Sequence, residues 1–134
     1  MGYRSNLMVL IYPDVDKVED EQEKYDQLKV LMGTTFKHVS DEFGDPYMTW
    51  MDSDRVLKFD LPNVKWYDSY PDVQMFEKML SAFKCYDEDN QDDIKGYCTE
   101  FVRIGEDNDD ADEVHTGHNN HYYLSIRREI DCNV

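Results

Sequence analysis

The sequence predicts an α/β or α+β fold: a single two-layer sandwich in which a four- to five-stranded mixed sheet carries two helices on one face. Three observations predict it. Residues 6–12 (NLMVLIY) form a continuous apolar run closed by Pro13-Asp14, the pattern of a strand buried on both faces. Two stretches, residues 20–39 and 71–86, repeat apolar side chains at steps of three and four, which line one face of a helix. The order strand, helix, strand pair, helix, strand, strand then calls for helices packed on a sheet.

Each element has its own signal. In the first helix Tyr25, Leu28, Met32, Phe36 and Val39 make the apolar stripe, and Glu19, Asp20, Glu21 and Glu23 crowd the first turns, where the helix dipole favours anions. Gly33 within it costs about 1 kcal/mol against alanine, which reads as a mark of close packing on the sheet. Residues 47–51 and 55–61 read as strands around the turn Asp52-Ser53-Asp54, the second ended by Leu61-Pro62-Asn63, because turn residues bracket them. Pro71 suits the first position of the second helix, whose buried stripe is Val73, Phe76, Leu80 and Phe83. Residues 96–104 (GYCTEFVRI) read as a strand and residues 105–120 as a long loop. In residues 121–130, Tyr122, Leu124 and Ile126 alternate with Tyr123, Ser125 and Arg127, as in a strand solvated on one side.

Composition bounds the rest. A length of 134 residues suits one domain, 1–134, large enough to fold without staples. Apolar residues at 40% and aromatics at 13% supply too much sticky surface for a disordered tail. Cys85, Cys98 and Cys132 are an odd, unpaired set. No signal-peptide apolar region and no run long enough to span a bilayer is found, so the expected setting is a reducing cytoplasm, away from membranes.

Two motifs carry a resemblance. The opening Met1-Gly2-Tyr3-Arg4-Ser5 and the late segment Phe101-Val102-Arg103-Ile104-Gly105-Glu106-Asp107 resemble short uncharacterised proteins of tailed bacteriophages. These begin Met-Gly-Tyr-Arg-Ser and carry an Arg-Ile-Gly-Glu-Asp segment before a final strand. That family has no assigned activity, so the resemblance transfers no functional residue. It implies an accessory protein acting on a host protein in the host cytoplasm.

Net charge is −16, from 30 acidic and 14 basic side chains, and it is uneven. Residues 87–134 hold fourteen acids against four bases. One cluster is Asp87, Glu88, Asp89, Asp92 and Asp93; the other is Glu106, Asp107, Asp109, Asp110, Asp112 and Glu113. If helix crossovers make the principal strands parallel, Asp14, Asp16, Glu19 and Asp20 join Asp60, Asp68, Asp72 and the second cluster at one acidic pole. Such a pole would approach the charge density of a duplex, one charge per about 1.7 Å, and would permit nucleic-acid mimicry. The alternative is that the acids are solvated loops that maintain solubility. Direct binding to nucleic acid is disfavoured, since no basic stripe exists.

The residues expected to face a partner are Asp107, Asp109, Asp110, Asp112 and Glu113, with Trp66, Tyr67 and Tyr70 as aromatic anchors, because aromatics concentrate binding energy at interfaces. The expected partner is a host protein, in particular a basic nucleic-acid-binding one, and the expected function is inhibition of a host nucleic-acid-handling or defence protein, without catalysis or cofactor. The alternative is a metal-binding module or metal-dependent enzyme built on His115, His118 and His121, whose imidazoles suit Zn²⁺, Ni²⁺ or Cu²⁺. Residues 87–92 and 107–112 resemble calcium loops but lack the glycine and glutamate that such loops need. A cysteine nucleophile with His115 or His121 as base is the weaker reading beside core thiols. Nucleotide-binding, zinc-protease and serine-hydrolase fingerprints are missing.

Overall fold

The computed structural model describes residues 3–83, 96–107, 109–126 and 129–134. The elements are β1 (Ser5–Pro13), α1 (Val18–Gly33), α2 (Lys37–Phe43), β2 (Met48–Met51), β3 (Val56–Val64), α3 (Pro71–Phe83), β4 (Tyr97–Gly105), β5 (Ala111–Thr116), β6 (Leu124–Ile126) and β7 (Ile130–Cys132). The fold is α+β: a five-stranded sheet of order β2-β3-β1-β4-β5 with three helices, and a small β6–β7 hairpin.

β1 is the middle strand, and its continuous apolar run follows from burial on both sides. Leu7, Val9 and Ile11 join the core shared with the helices, among them Leu28 and Met32 of α1, Val39 and Phe43 of α2 and Phe76 of α3. Leu10 and Tyr12 face the opposite side, where Leu124 and partly buried Ile126 and Ile130 of the hairpin cover them. The predicted stripe of α3 is buried in full, with Met79 added.

The sheet is antiparallel throughout, not mixed. The expected crossover does occur, since β2 runs in the direction of β1. The β2–β3 hairpin then reverses the chain, and it is β3 that lies beside β1. α3 carries the chain from β3 over β1 to β4, which again runs against β1. Residues leaving β3 and β4 therefore emerge where β1 begins, and residues leaving β1 emerge about 27 Å away at strand rise. This corrects the single acidic pole. Asp14, Asp16, Glu19 and Asp20 lie at one end of the sheet, Asp68 and the turn after β4 at the other, and Asp60 is paired with Met8 in mid-strand.

Three further expectations change. The first helix is two. After Gly33 the Thr34 and Phe36 N–H groups both donate to Leu31 O, and Thr34 Oγ1 donates to Val30 O. A glycine followed by two β-branched threonines is a weak place to continue a helix. Phe36 and Val39 keep their buried positions beyond the break. Among the described residues nothing lies within 4 Å of where a Cβ on Gly33 would stand, so it marks no close packing there. Pro62-Asn63 does not end β3 but forms a bulge: the register moves from Leu7↔Leu61 to Ser5↔Val64, and the Asn63 N–H donates to Asn6 Oδ1 at 2.7 Å. The expected loop at 105–120 contains β5, and the expected last strand is the β6–β7 hairpin. There Leu124 is buried as expected, but Tyr122 adopts φ 51 and is 63% exposed, while Tyr123 turns inward.

Candidate interaction cleft

At the end of the sheet where β1 begins, the β3–α3 connection meets the β4–β5 turn. Tyr3 joins them. Its N–H donates to the Tyr67 hydroxyl, its own hydroxyl donates to Asp110 Oδ2 at 2.6 Å, and that hydroxyl accepts the Asp107 N–H at 2.9 Å. Gly105 permits this approach: any side chain there would collide with the Asp110 carboxylate and the Tyr3 hydroxyl.

Arg103 of β4 organises the floor. Its Nη2 lies 2.5 Å from Asp110 Oδ1 and 2.8 Å from Asp112 Oδ2, its Nε donates to Asp112 Oδ2 at 2.9 Å, and its Nη1 donates to Ser5 Oγ at 3.1 Å. The guanidinium side chain is only 14% exposed. Hydrogen bonds from Arg103, and then from Tyr3, hold the Asp110 carboxyl down at about 2. The Asp110 carboxylate in turn raises Arg103 above its ordinary value.

Around this floor is a cavity of about 320 Å³. Trp66, Tyr67 and Phe101 give it aromatic walls, and Asp68, Glu77, Asp110 and Asp112 set four carboxylates against the one guanidinium. Trp66 packs edge-on to Phe76 and tilted against Phe43, so it is anchored in the core, and its Nε1 is buried without a hydrogen-bond partner among the described residues.

The predicted partner-facing residues thus converge in part. Trp66, Tyr67, Asp110 and Asp112 line one cleft. Tyr70 stacks edge-on to Tyr67 at 5.1 Å and stands half-exposed beside it. Asp107 and Asp109 are exposed on the turn. Glu113 departs: its register partner is Val102, and its carboxylate meets His115 Nε2 at 2.9 Å. Tyr3, Glu77, Phe101 and Arg103 were not singled out by the sequence. The period of two along 97–105 places Phe101 and Arg103 on one face, and that was the available signal. The acidic run 87–93, its calcium-like segment and Cys85 lie outside the described residues.

The three histidines take separate roles. His115 Nδ1 lies 3.0 Å from Glu100 Oε1 but off hydrogen-bonding angle, and its ring tilts against Tyr122. His121 stacks on Tyr12. His118 is exposed, and its backbone N–H donates to Asp14 Oδ2. Among the described residues no group of three or more His, Cys, Asp or Glu side chains is placed to hold a metal ion. The described residues of the second calcium-like segment run from the end of the β4–β5 connection into β5, with Asp110 and Asp112 turned onto Arg103. Cys98 is fully buried, and burial pushes its thiol up to about 12, the reverse of what a nucleophile needs.

Compared with known proteins, the chain matches no family model, and no curated protein or solved structure is similar to it. No helix among the described residues is long and apolar enough to cross a membrane.

Proposed function

We propose that this is an interaction protein that captures a basic segment of a partner protein in the cleft. The observation that carries the reading is the meeting of Trp66 and Tyr67 with Asp110 and Asp112 around one cavity, where carboxylates outnumber the guanidinium by three. A lysine or arginine side chain entering there gains aromatic faces as well as opposite charge. Arg103 and Tyr3 hold two of the carboxylates in fixed positions, which lowers the ordering cost of binding. The exposed Asp107 and Asp109 beside the cleft add long-range attraction that speeds encounter.

The resemblance to short phage proteins supports a host protein as the target, and a nucleic-acid-handling protein offers the required basic segments. Capture in a local cleft does not call for charge spread like that of a duplex. Inhibition would follow where the captured segment is the one the host protein uses on its own ligand.

The test is calorimetric titration with an arginine-rich peptide at low and high salt. Replacing Asp68 and Glu77 with Asn and Gln removes two cleft charges from exposed positions. Binding should weaken at least tenfold, whereas Asp16→Asn with Glu19→Gln at the far end should leave it unchanged. Equal weakening by both pairs would show general attraction to an acidic protein and reject the cleft.

A further inference from the structure

We infer that the occupant of the cleft enters as an extended basic strand that adds to the sheet along β5. This rests on the cleft being the contact surface and specifies how a partner reaches it. β5 is the edge of the sheet. The Gly105 N–H donates to Asp110 O at 2.7 Å, which fixes the phase of the β4–β5 ladder. Hydrogen-bonded pairs recur every second residue in an antiparallel pair, so they fall at Arg103–Asp112, Phe101–Val114 and Thr99–Thr116. The intervening Ala111, Glu113 and His115 turn their backbone N–H and C=O groups away from β4. Among the described residues, no backbone hydrogen bond satisfies these three outward groups.

The side chains of β5 select the kind of strand. Asp112 lines the cleft, Val114 follows on the same face at 38% exposure, and Glu113 stands exposed on the other face. A strand laid beside β5 would place alternate side chains next to Asp112 and toward the aromatic walls, with the next set near Glu113. A second copy of this chain is a poor occupant, because pairing two β5 edges sets Asp112 and Glu113 near their own equivalents, and like charges across a pair are destabilising. A strand bearing lysine or arginine makes every one of these contacts favourable. The other edge, β2, has only four residues and does not border the cleft.

The experiment uses ¹⁵N-labelled full-length protein and two probes: a hexapeptide alternating arginine and valine, and N-acetyl-arginine methylamide, which is too short to form a strand. The expected result is slowed amide exchange at Ala111, Glu113 and His115 with the hexapeptide alone. Ala111→Pro deletes one outward N–H and leaves the β4 ladder whole, as proline at a sheet edge allows. It should weaken the hexapeptide at least tenfold and leave the single arginine unaffected, and Glu113→Pro is the second variant at the strand's centre. Shifts at Trp66, Phe101 and Arg103 without protection along β5 would overturn strand addition and leave the cleft standing. No response of the cleft to either probe would remove both. Protection at β5 that appears without any probe and grows with protein concentration would assign the edge to a second copy and overturn the inference.

Discussion

Arg103 holds Asp110 by two nearly parallel contacts, Nη2 to Oδ1 at 2.5 Å and Nη1 to Oδ2 at 3.1 Å, and so ties the turn after β4 to the strand that precedes it. Fork-on-fork pairing of this kind is the strong form of a guanidinium–carboxylate bond. It makes the shape of the cleft depend on one ionised carboxyl.

A defined acid response follows. The Asp110 carboxyl sits at about 2 in the folded protein, against about 3.9 in an unfolded chain. Above about pH 4 both states are ionised and the full contribution to stability is present. As pH falls from about 4 to about 2 the unfolded chain takes up the proton first and the contribution is lost. Asp110→Asn is therefore expected to be less stable than the parent at pH 7, with the gap closing across that window. Urea midpoints at pH 7, 4 and 2.5 measure it, and a gap independent of pH would contradict the assignment.

The thiol of Cys98 gives a second expectation. Held up at about 12 by burial, it is far less ionised at pH 7 than a free thiol. Its Sγ also lies where a side chain at position 117 would stand, and Gly117 adopts φ 102. Iodoacetamide should leave the Cys98 peptide unmodified in the native protein and label it in urea, as read by mass spectrometry. Native labelling would mean that the loop over it opens.

How much of this was legible in the sequence depends on how many sides of each element are buried. β1 could be read because two cores demand apolar residues at every position from Leu7 to Tyr12, apart from the half-buried Met8. α3 could be read because Val73, Phe76, Leu80 and Phe83 are all buried, the last three in one core. β5 could not, because an edge strand with four exposed residues in six presents acids where a buried strand presents apolar side chains. The break after Gly33 hid within an unbroken apolar period, since Phe36 and Val39 stay buried on both readings. The tight turn Asp52-Ser53-Asp54 makes β3 run against β2, because parallel neighbours need a long crossover. With β2 parallel to β1, the acids after β3 therefore fall at the opposite end from those after β1. What was not legible was which strand of that hairpin pairs with β1. The aromatic and acidic halves of the cleft were each visible as compositional clusters. Their meeting, and the part of Arg103 between them, needed the register of β4 against β5.

Phe76 links core and cleft. Its ring meets Phe59 at 5.0 Å, Phe43 at 5.1 Å and Trp66 at 5.5 Å, all edge-to-face. Phe76→Ala removes the shared partner of all three and should cost about 3–5 kcal/mol of stability, the range for a deleted core aromatic. Trp66 loses its main support in the same change, so its fluorescence should shift toward that of a solvated indole before global unfolding begins. Chemical denaturation followed by fluorescence reports both, and unchanged emission would show that Phe43 alone positions the indole.

Glu100 is a fully buried carboxyl of β4, and it fastens the C-terminal hairpin to the back of the sheet. Its Oε2 accepts the Tyr12 hydroxyl at 2.8 Å and its Oε1 accepts the Leu124 N–H at 3.0 Å, while the Tyr12 oxygen accepts the His121 N–H at 2.8 Å. Truncation to alanine leaves two buried donors without acceptors, at about 1–3 kcal/mol each. Glu100→Ala should therefore lose about 2–6 kcal/mol, and amide exchange at Leu124 should accelerate more than at Val9 in the middle of β1. Glu100→Gln keeps one oxygen acceptor and should fall between the two. If Leu124 and Val9 accelerate equally in the alanine variant, the hairpin unfolds only with the whole domain, and Glu100 serves global packing instead of fastening a separable element.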